Sequence, residues 1–209
     1  MTKMLVKICG ITRLEDAEAA VAYGASAVGF LFWPNSPRFI DPFRARAIVA
    51  ALPPLVSVVG VFVNQPAEYI NGVASLVGLS AVQLHGDETV AFVNLMRRPV
   101  IKAIGVGPDT TAADWPDRAT LLLDAHDVYR RGGTGRTIDW SAAAAIASRR
   151  RVLLAGGLTP ENVGEAVGRV RPSGIDVSSG VEASPGIKDH RKLSDLFRAL
   201  HEHHDSPRP

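Results

Sequence analysis

Residues 151–180 read RVLLAGGLTPENVGEAVGRVRPSGIDVSSG. An apolar run, Val152–Leu154, enters a Gly-Gly turn, and Thr159-Pro160 opens the amphipathic segment Pro160–Val170. A second apolar run, Gly174–Val177, follows and ends in serines and a glycine. Strand, turn, helix and strand in this order form a βα unit running into the next. Such units demand parallel strands joined by right-handed crossovers.

The pattern repeats upstream. Further strand candidates are Met4–Ile8, Ala27–Phe32, Ser57–Val63, Ala81–Leu84, Val100–Ala103 and Thr120–Leu123. Each is a continuous apolar run rather than an in/out alternation, as strands covered on both faces require. Thr12 and Glu15 have the spacing of a capping box and predict a helix that stops near Gly24. Asp41-Pro42 opens another, with proline at the first helical position. Further helical segments are Pro66–Ser75, Glu88–Met96, Trp140–Ser148 and His190–His203, whereas Asp109–Trp115 is weak. Eight strands at about 26 residues per unit predict an α/β fold, a single (β/α)8 TIM barrel over residues 1–209. The alternative is an open doubly wound sheet. No linker or low-complexity stretch interrupts the series, and the polar tail 205–209 is expected to fray.

Composition narrows the function. Of 209 residues, 46% are hydrophobic and 21% charged, and the net charge is +2. This balance suits a globular chain with a sizeable core and gives no electrostatic argument for nucleic acid or a membrane surface. One cysteine leaves no internal disulfide and no cysteine-rich metal site. No apolar run approaches the ~20 residues of a membrane helix, and no signal peptide is evident, so a cytoplasmic location is expected.

A barrel carries its chemistry at the C-terminal ends of its strands, and unusual residues collect there. Strand one ends with Lys7, Cys9 and Gly10; the loop after strand two holds Arg38; strand four ends with Gln83 and His85; strand five holds Lys102. Asp124 follows three leucines, where burial raises a carboxyl toward a range useful for proton donation. A loop Gly132-Gly-Thr-Gly135 comes after it. The final two units contribute Gly156 and Gly157, then Asp176, Ser178, Ser179 and Gly180. Small residues and exposed N–H groups at these two loops suit a phosphate, against the plainer reading of tight turns.

Cys9 alone reads as a small buried hydrophobe. Lys7, two residues earlier on the same strand face, favours a thiolate and needs an anion if buried, for which Asp176 is a candidate. Spacing alone leaves Arg38 a surface residue and does not separate a site role for His85 from a solvated one. The run Arg149–Arg151 reads as a helix C-terminus favoured by the dipole. His201, His203 and His204 read as a solvated helix end rather than a metal site.

In order, the motifs KICGIT, SPR, VGVFVNQ, VQLHG, LLLDA, GGTGRTIDW, LAGGLTPENV and GIDVSSGVE resemble the phosphoribosylanthranilate isomerase family over nearly the whole chain. The resemblance implies an Amadori rearrangement in tryptophan biosynthesis, with no metal or cofactor. The expected substrate is a small phosphosugar-anthranilate, and the assembly a monomer or homodimer. It implies Cys9 as general base, Asp124 as general acid and Arg38 as the group holding the anthranilate carboxylate. Gly156, Gly157, Ser178 and Gly180 would hold the phosphate, with Asp176 supporting them and Lys7 and His85 among the substrate-binding residues. The sequence has Thr-Ile-Asp-Trp at 137–140, where phenylalanine often precedes the aspartate. Three alternatives are a pentose-phosphate epimerase, a dual-substrate isomerase also serving histidine, and a non-catalytic phosphometabolite-binding barrel. Epimerases bring metal-ligand histidines that these strand ends lack, Cys9 favours the specialised isomerase over the dual-substrate one, and a binding protein needs neither acid nor base.

Overall fold

The computed structural model describes residues 4–107, 110, 112–125 and 138–205. The eight apolar runs are strands: β1 Leu5–Cys9, β2 Ala27–Leu31, β3 Ser57–Phe62, β4 Ala81–Leu84, β5 Val100–Val106, β6 Ala119–Ala125, β7 Val152–Leu154 and β8 Gly174–Val177. All neighbours pair in parallel, and β8 closes onto β1 with Lys7 opposite Asp176, so the sheet is a closed barrel. The α-helices are α1 Leu14–Tyr23, α2 Pro42–Ala51, α3 Ala67–Val77, α4 Trp140–Ala147, α5 Val163–Val170 and α6 His190–Asp205. Closure excludes the open doubly wound sheet.

The strands bury both faces, each for a different reason. Outward residues such as Ile8, Val28, Phe30, Val82, Leu121, Leu123 and Ile175 join the helices in one large apolar layer. Fully burying one such side chain contributes about 1.5–3 kcal/mol. Inward residues form a smaller apolar cluster of Ala103, Leu122 and Ala155, with Ile101 and Leu153 against it. The rest of the inner face includes Lys7, Gln83 and Asp176, all buried. Strand alternation thus sorts the barrel into a greasy outside and a polar inside toward β1, β4 and β8.

Several local expectations are corrected. Thr12 does not cap α1: its hydroxyl donates to the Gly186 carbonyl, and the N-cap is Arg13, whose side chain makes no capping bond. Gly186 lies in an unforeseen hairpin after β8, formed by β9 Glu182–Ser184 and β10 Ile187–Lys188. The helix expected over Glu88–Met96 is a 3₁₀ turn, Val90–Leu95, because Glu88 is drawn away to a buried pair with Lys102, 2.8 Å apart. Lys102 faces outward from β5, under the Trp115 ring and the Gly86 carbonyl, and takes no part in the barrel mouth. Arg150 does not serve a helix dipole; it donates to the carbonyls of Ala112, Trp115, Pro116 and Ala119, tying the turn before β6. The caps expected at α2 form, with Asp41 accepting from Phe43 and Arg44. Among the described residues no helix is long and apolar enough to cross a membrane. The glycine loop 132–135 lies outside the described residues.

Candidate active site

The strand ends surround a cavity of about 610 Å³. Its wall includes Cys9 from β1, Asp124 from β6, Arg38 and His85 from loops, and the Gly156–Gly157 and Asp176–Ser179 segments. Of the residues the resemblance assigns to the site, Lys7 and Gly180 do not line it.

Lys7 sits one layer below. It is 3% exposed, and its Nζ lies 2.8 Å from Asp176 Oδ1. Burial alone would pull the lysine down; Asp176, with Cys9 beside it, outweighs that and holds it above its ordinary value. The expected pairing is present and Lys7 pulls the Cys9 thiol toward ionisation as expected, but that pull does not prevail. Burial pushes the thiol up, Lys7 pulls it down and the Asp176 carboxylate pushes it up again, for a net rise. The lysine's charge is largely committed to Asp176, so Cys9 is not poised as a free thiolate.

Asp124 ends the buried run Leu121–Leu123 and is half-buried. Its Oδ2 lies 3.2 Å from His85 Nε2, and His85 Nδ1 lies 2.9 Å from Gln83 Nε2. Parity on β4 explains the geometry: Gln83 points inward, and His85, two residues on, points the same way at the rim. Gln83 Oε1 is buried without a hydrogen-bond partner among the described residues.

At the β7–β8 side the chain turns through Gly156 at φ 80° and Gly157 at φ 66°, a conformation that disfavours a side chain. Asn162 fixes this turn, donating to the Gly157 carbonyl and accepting from the Thr159 N–H. The Ser178 hydroxyl lines the cavity, buried and without a partner among the described residues. Gly180 brings the β8 loop against the β7 loop: a Cβ there would overlap the Leu158 carbonyl. Its role is close backbone approach, not contact with the cavity.

Arg38 is held by a residue not singled out in the sequence. Its Nε and Nη2 donate to Glu182, at 2.8 and 2.7 Å. Glu182 also accepts from Lys188 Nζ at 2.9 Å, and the same ammonium donates to the Ser178 carbonyl at 3.1 Å. Burial pushes the Glu182 carboxyl up, but Arg38 and Lys188 outweigh it and hold it below the usual range. Burial pulls Lys188 down despite this partner. The hairpin thus joins the arginine loop to the serine loop. The signal in the sequence was the acid–base pair Glu182 and Lys188 flanking a Pro-Gly turn, Pro185-Gly186, but its partner Arg38 is 144 residues away.

Among the described residues, no group of three or more histidine, cysteine, aspartate or glutamate side chains is arranged to hold a metal ion. Fold and cavity together define a (β/α)8 barrel with acid–base side chains facing a cleft that suits a small anionic molecule.

Comparison with known proteins narrows the class. Residues 6–199 match the N-(5'-phosphoribosyl)anthranilate (PRA) isomerase family, and the chain belongs to it. The N-(5'-phosphoribosyl)anthranilate isomerase of Geobacter sp. (strain M21) is 51% identical over 196 residues, covering 92% of this chain and 95% of the relative. The crystal structure of the Thermus thermophilus isomerase superposes with a TM-score of 0.88 at 43% identity, over 95% of this chain and 99% of that one. A related isomerase solved with reduced 1-(o-carboxyphenylamino)-1-deoxyribulose 5-phosphate gives 0.84 at 44% identity, over 96% and 100%.

Proposed function

We propose that this chain isomerises N-(5'-phosphoribosyl)anthranilate to 1-(2-carboxyphenylamino)-1-deoxyribulose 5-phosphate, the Amadori step of tryptophan biosynthesis, in the cytoplasm. The observation that carries the reading is placement. Cys9 at the end of β1 and Asp124 at the end of β6 face one cavity from strands that are not neighbours. A sugar between them meets a base on one side and an acid on the other.

Each end of the substrate has a receptor. The unpartnered Ser178 hydroxyl and the Gly156–Gly157 turn suit the phosphate. Arg38 suits the anthranilate carboxylate, because Glu182 occupies Nε and Nη2, and Nη1 makes no hydrogen bond to the described residues. Holding both ends fixes the ribose between acid and base.

The reaction then proceeds in two proton steps. Asp124 gives its proton to the ring oxygen as the C1–O bond breaks; that bond's electrons go to oxygen, and the nitrogen lone pair forms an iminium. Cys9 first gives its thiol proton to solvent; the thiolate then removes the proton from C2, and the electrons of that C–H bond flow to the iminium to give an enolamine, which tautomerises to the ketone. The thiol, held up by burial, is a stronger base once ionised. The iminium beside C2 supplies the charge that favours the thiolate and acidifies the C2–H bond. Side chains furnish both acid and base, so the chemistry requires no metal or organic cofactor.

The test is fluorescence. The substrate fluoresces and the product does not, so the purified chain should extinguish the signal catalytically. Binding without loss of fluorescence would support a phosphometabolite-binding barrel instead.

A further inference from the structure

An aspartate in water holds no proton at neutral pH, whereas histidine gains and loses one between about pH 5 and 8. An aspartate acting as an acid therefore needs a supply. We propose that His85 is the carrier that charges Asp124 with its proton, and that Gln83 holds His85 in both of its protonation states. This rests on the isomerase reading above.

Three observations meet at this point. His85 Nε2 lies 3.2 Å from Asp124 Oδ2. His85 Nδ1 lies 2.9 Å from Gln83 Nε2. Gln83 is 1% exposed, yet its Oε1 has no hydrogen-bond partner among the described residues. A buried amide oxygen left unpaired is unfavourable, and it needs a reason.

The amide's symmetry of shape supplies one. Its NH₂ donates and its carbonyl accepts, and a half-turn exchanges the two within the same volume. With His85 neutral, Gln83 donates to Nδ1, and the Nε2–H points at the Asp124 carboxylate. When His85 takes a second proton from solvent at Nδ1, the half-turn sets Oε1 against the new Nδ1–H. The Nε2–H bond can then break as an O–H bond forms on Oδ2. Imidazolium and carboxylate become neutral imidazole and neutral acid, so the pair's net charge of zero is unchanged. Asp124 next gives that proton to the ring oxygen, and solvent returns one to Nε2. The His85 side chain is 17% exposed, enough for that exchange. Leucine at position 83 would hold neither state, and glutamate only the protonated one.

Among the described residues, the ionisable groups facing His85 are few. Asp124 comes from β6; across the cavity lie Cys9 from β1, Arg38 from the loop after β2 and Asp176 from β8. The buried Glu88–Lys102 pair lies on the outer side of β5.

The test is steady-state turnover of the full chain by substrate fluorescence, for wild type, H85A, H85Q, Q83M, D124N and H85A/D124N. H85A is expected to lower kcat about 10²-fold with KM within about 3-fold, and free imidazole to restore part of the loss. Q83M is expected to lower kcat about 10-fold and to shift the acidic limb of its pH profile. In D124N, adding H85A should change kcat by less than about 2-fold, because the group it serves is gone. H85Q keeps a donor but no second titrating nitrogen; it should share the loss of H85A and carries the test if H85A does not fold. Active wild type with H85A kcat within about 2-fold of it, or an undiminished H85A loss in D124N, would overturn the carrier alone. Inactive wild type would overturn the isomerase reading and the carrier with it.

Discussion

Gly180 is where backbone geometry and substrate grip meet most closely. A Cβ on Gly180 would overlap the carbonyl oxygen of Leu158 and stand 2.9 Å from its carbonyl carbon and 3.2 Å from Thr159 Cα. Every one of these atoms is backbone, so no side chain can rotate aside. In Gly180→Ala the β7 and β8 loops must part by about 1 Å, a displacement that costs up to about 10²-fold in a positioned reaction. Leu158 is 2% and Val181 0% exposed, so the shift also disturbs packed core, at about 1–3 kcal/mol. For a chain of this size that lowers Tm by roughly 2–12 °C. The expected result in the fluorescence assay is a fall in kcat/KM of about 10²-fold, expressed mainly in KM, with a lower melting temperature. Gly72→Ala is the control: it lies in α3, its Cβ meets nothing within 4 Å, and it should stabilise by about 0.5–1 kcal/mol with turnover unchanged. A Gly180→Ala protein with the wild-type KM and melting temperature would refute the close-approach argument.

Lys7→Met leaves the Asp176 carboxylate buried without its cation and should cost about 3–5 kcal/mol in urea unfolding. The same change removes the downward pull on Cys9, so the alkaline limb of the rate profile should move to higher pH. Burial pushes the Asp16 carboxyl up, but Arg13, the Lys188 N–H and His190 outweigh it and hold it low, as Arg38 and Lys188 do for Glu182. Both contributions are present above the ordinary values, 3.8 and 4.5, and lost as pH falls through the folded-state values; acid titration of the melting temperature should show the loss beginning near pH 4–5. Glu182→Gln should shrink that acid-dependent term, and an unchanged profile would remove Glu182 from it. Arg150→Met strips a donor from four carbonyls and should lose about 1–3 kcal/mol by chemical denaturation, with turnover per folded molecule unchanged.

The barrel was legible because its strands are covered twice. A short run such as Leu121–Leu123, repeated eight times between helical segments, fits strands with apolar neighbours on both faces, and these strands close into a ring. β5 and β6 run on to Val106 and Ala125, because the two strands keep pairing through Gly105 and Asp124, which interrupt the apolar runs in the sequence. Strand-end position pointed to Asp124, the β7–β8 loops and, less firmly, Cys9, whereas Arg38 and His85 gained a role only from the family resemblance; all of them meet at the cavity except Gly180. Position did not find what pairs with what. Glu182 and Lys188 reach Arg38 and Ser178 through a hairpin whose partners are brought together only by closure of the barrel. Thr12 was misread for a similar reason, since a long-range bond to Gly186 displaces the local cap. Lys102 stands out at a strand end, but strand parity, counted from the inward Ile101 and Ala103, puts it outside. The net state of Cys9 was not legible because residue types give the sign of Lys7's pull but not the larger cost of burying the thiol.

The central claim is that Cys9 and Asp124 act on one bound sugar as base and acid. Single-turnover kinetics of Cys9→Ala and Asp124→Asn, with binding of the reduced product analogue measured in parallel, tests it most directly. Each variant is expected to lose at least about 10²-fold in rate while binding the analogue within about 3-fold of wild type. Near-full turnover in either variant, or loss of rate accounted for by loss of binding alone, would contradict it.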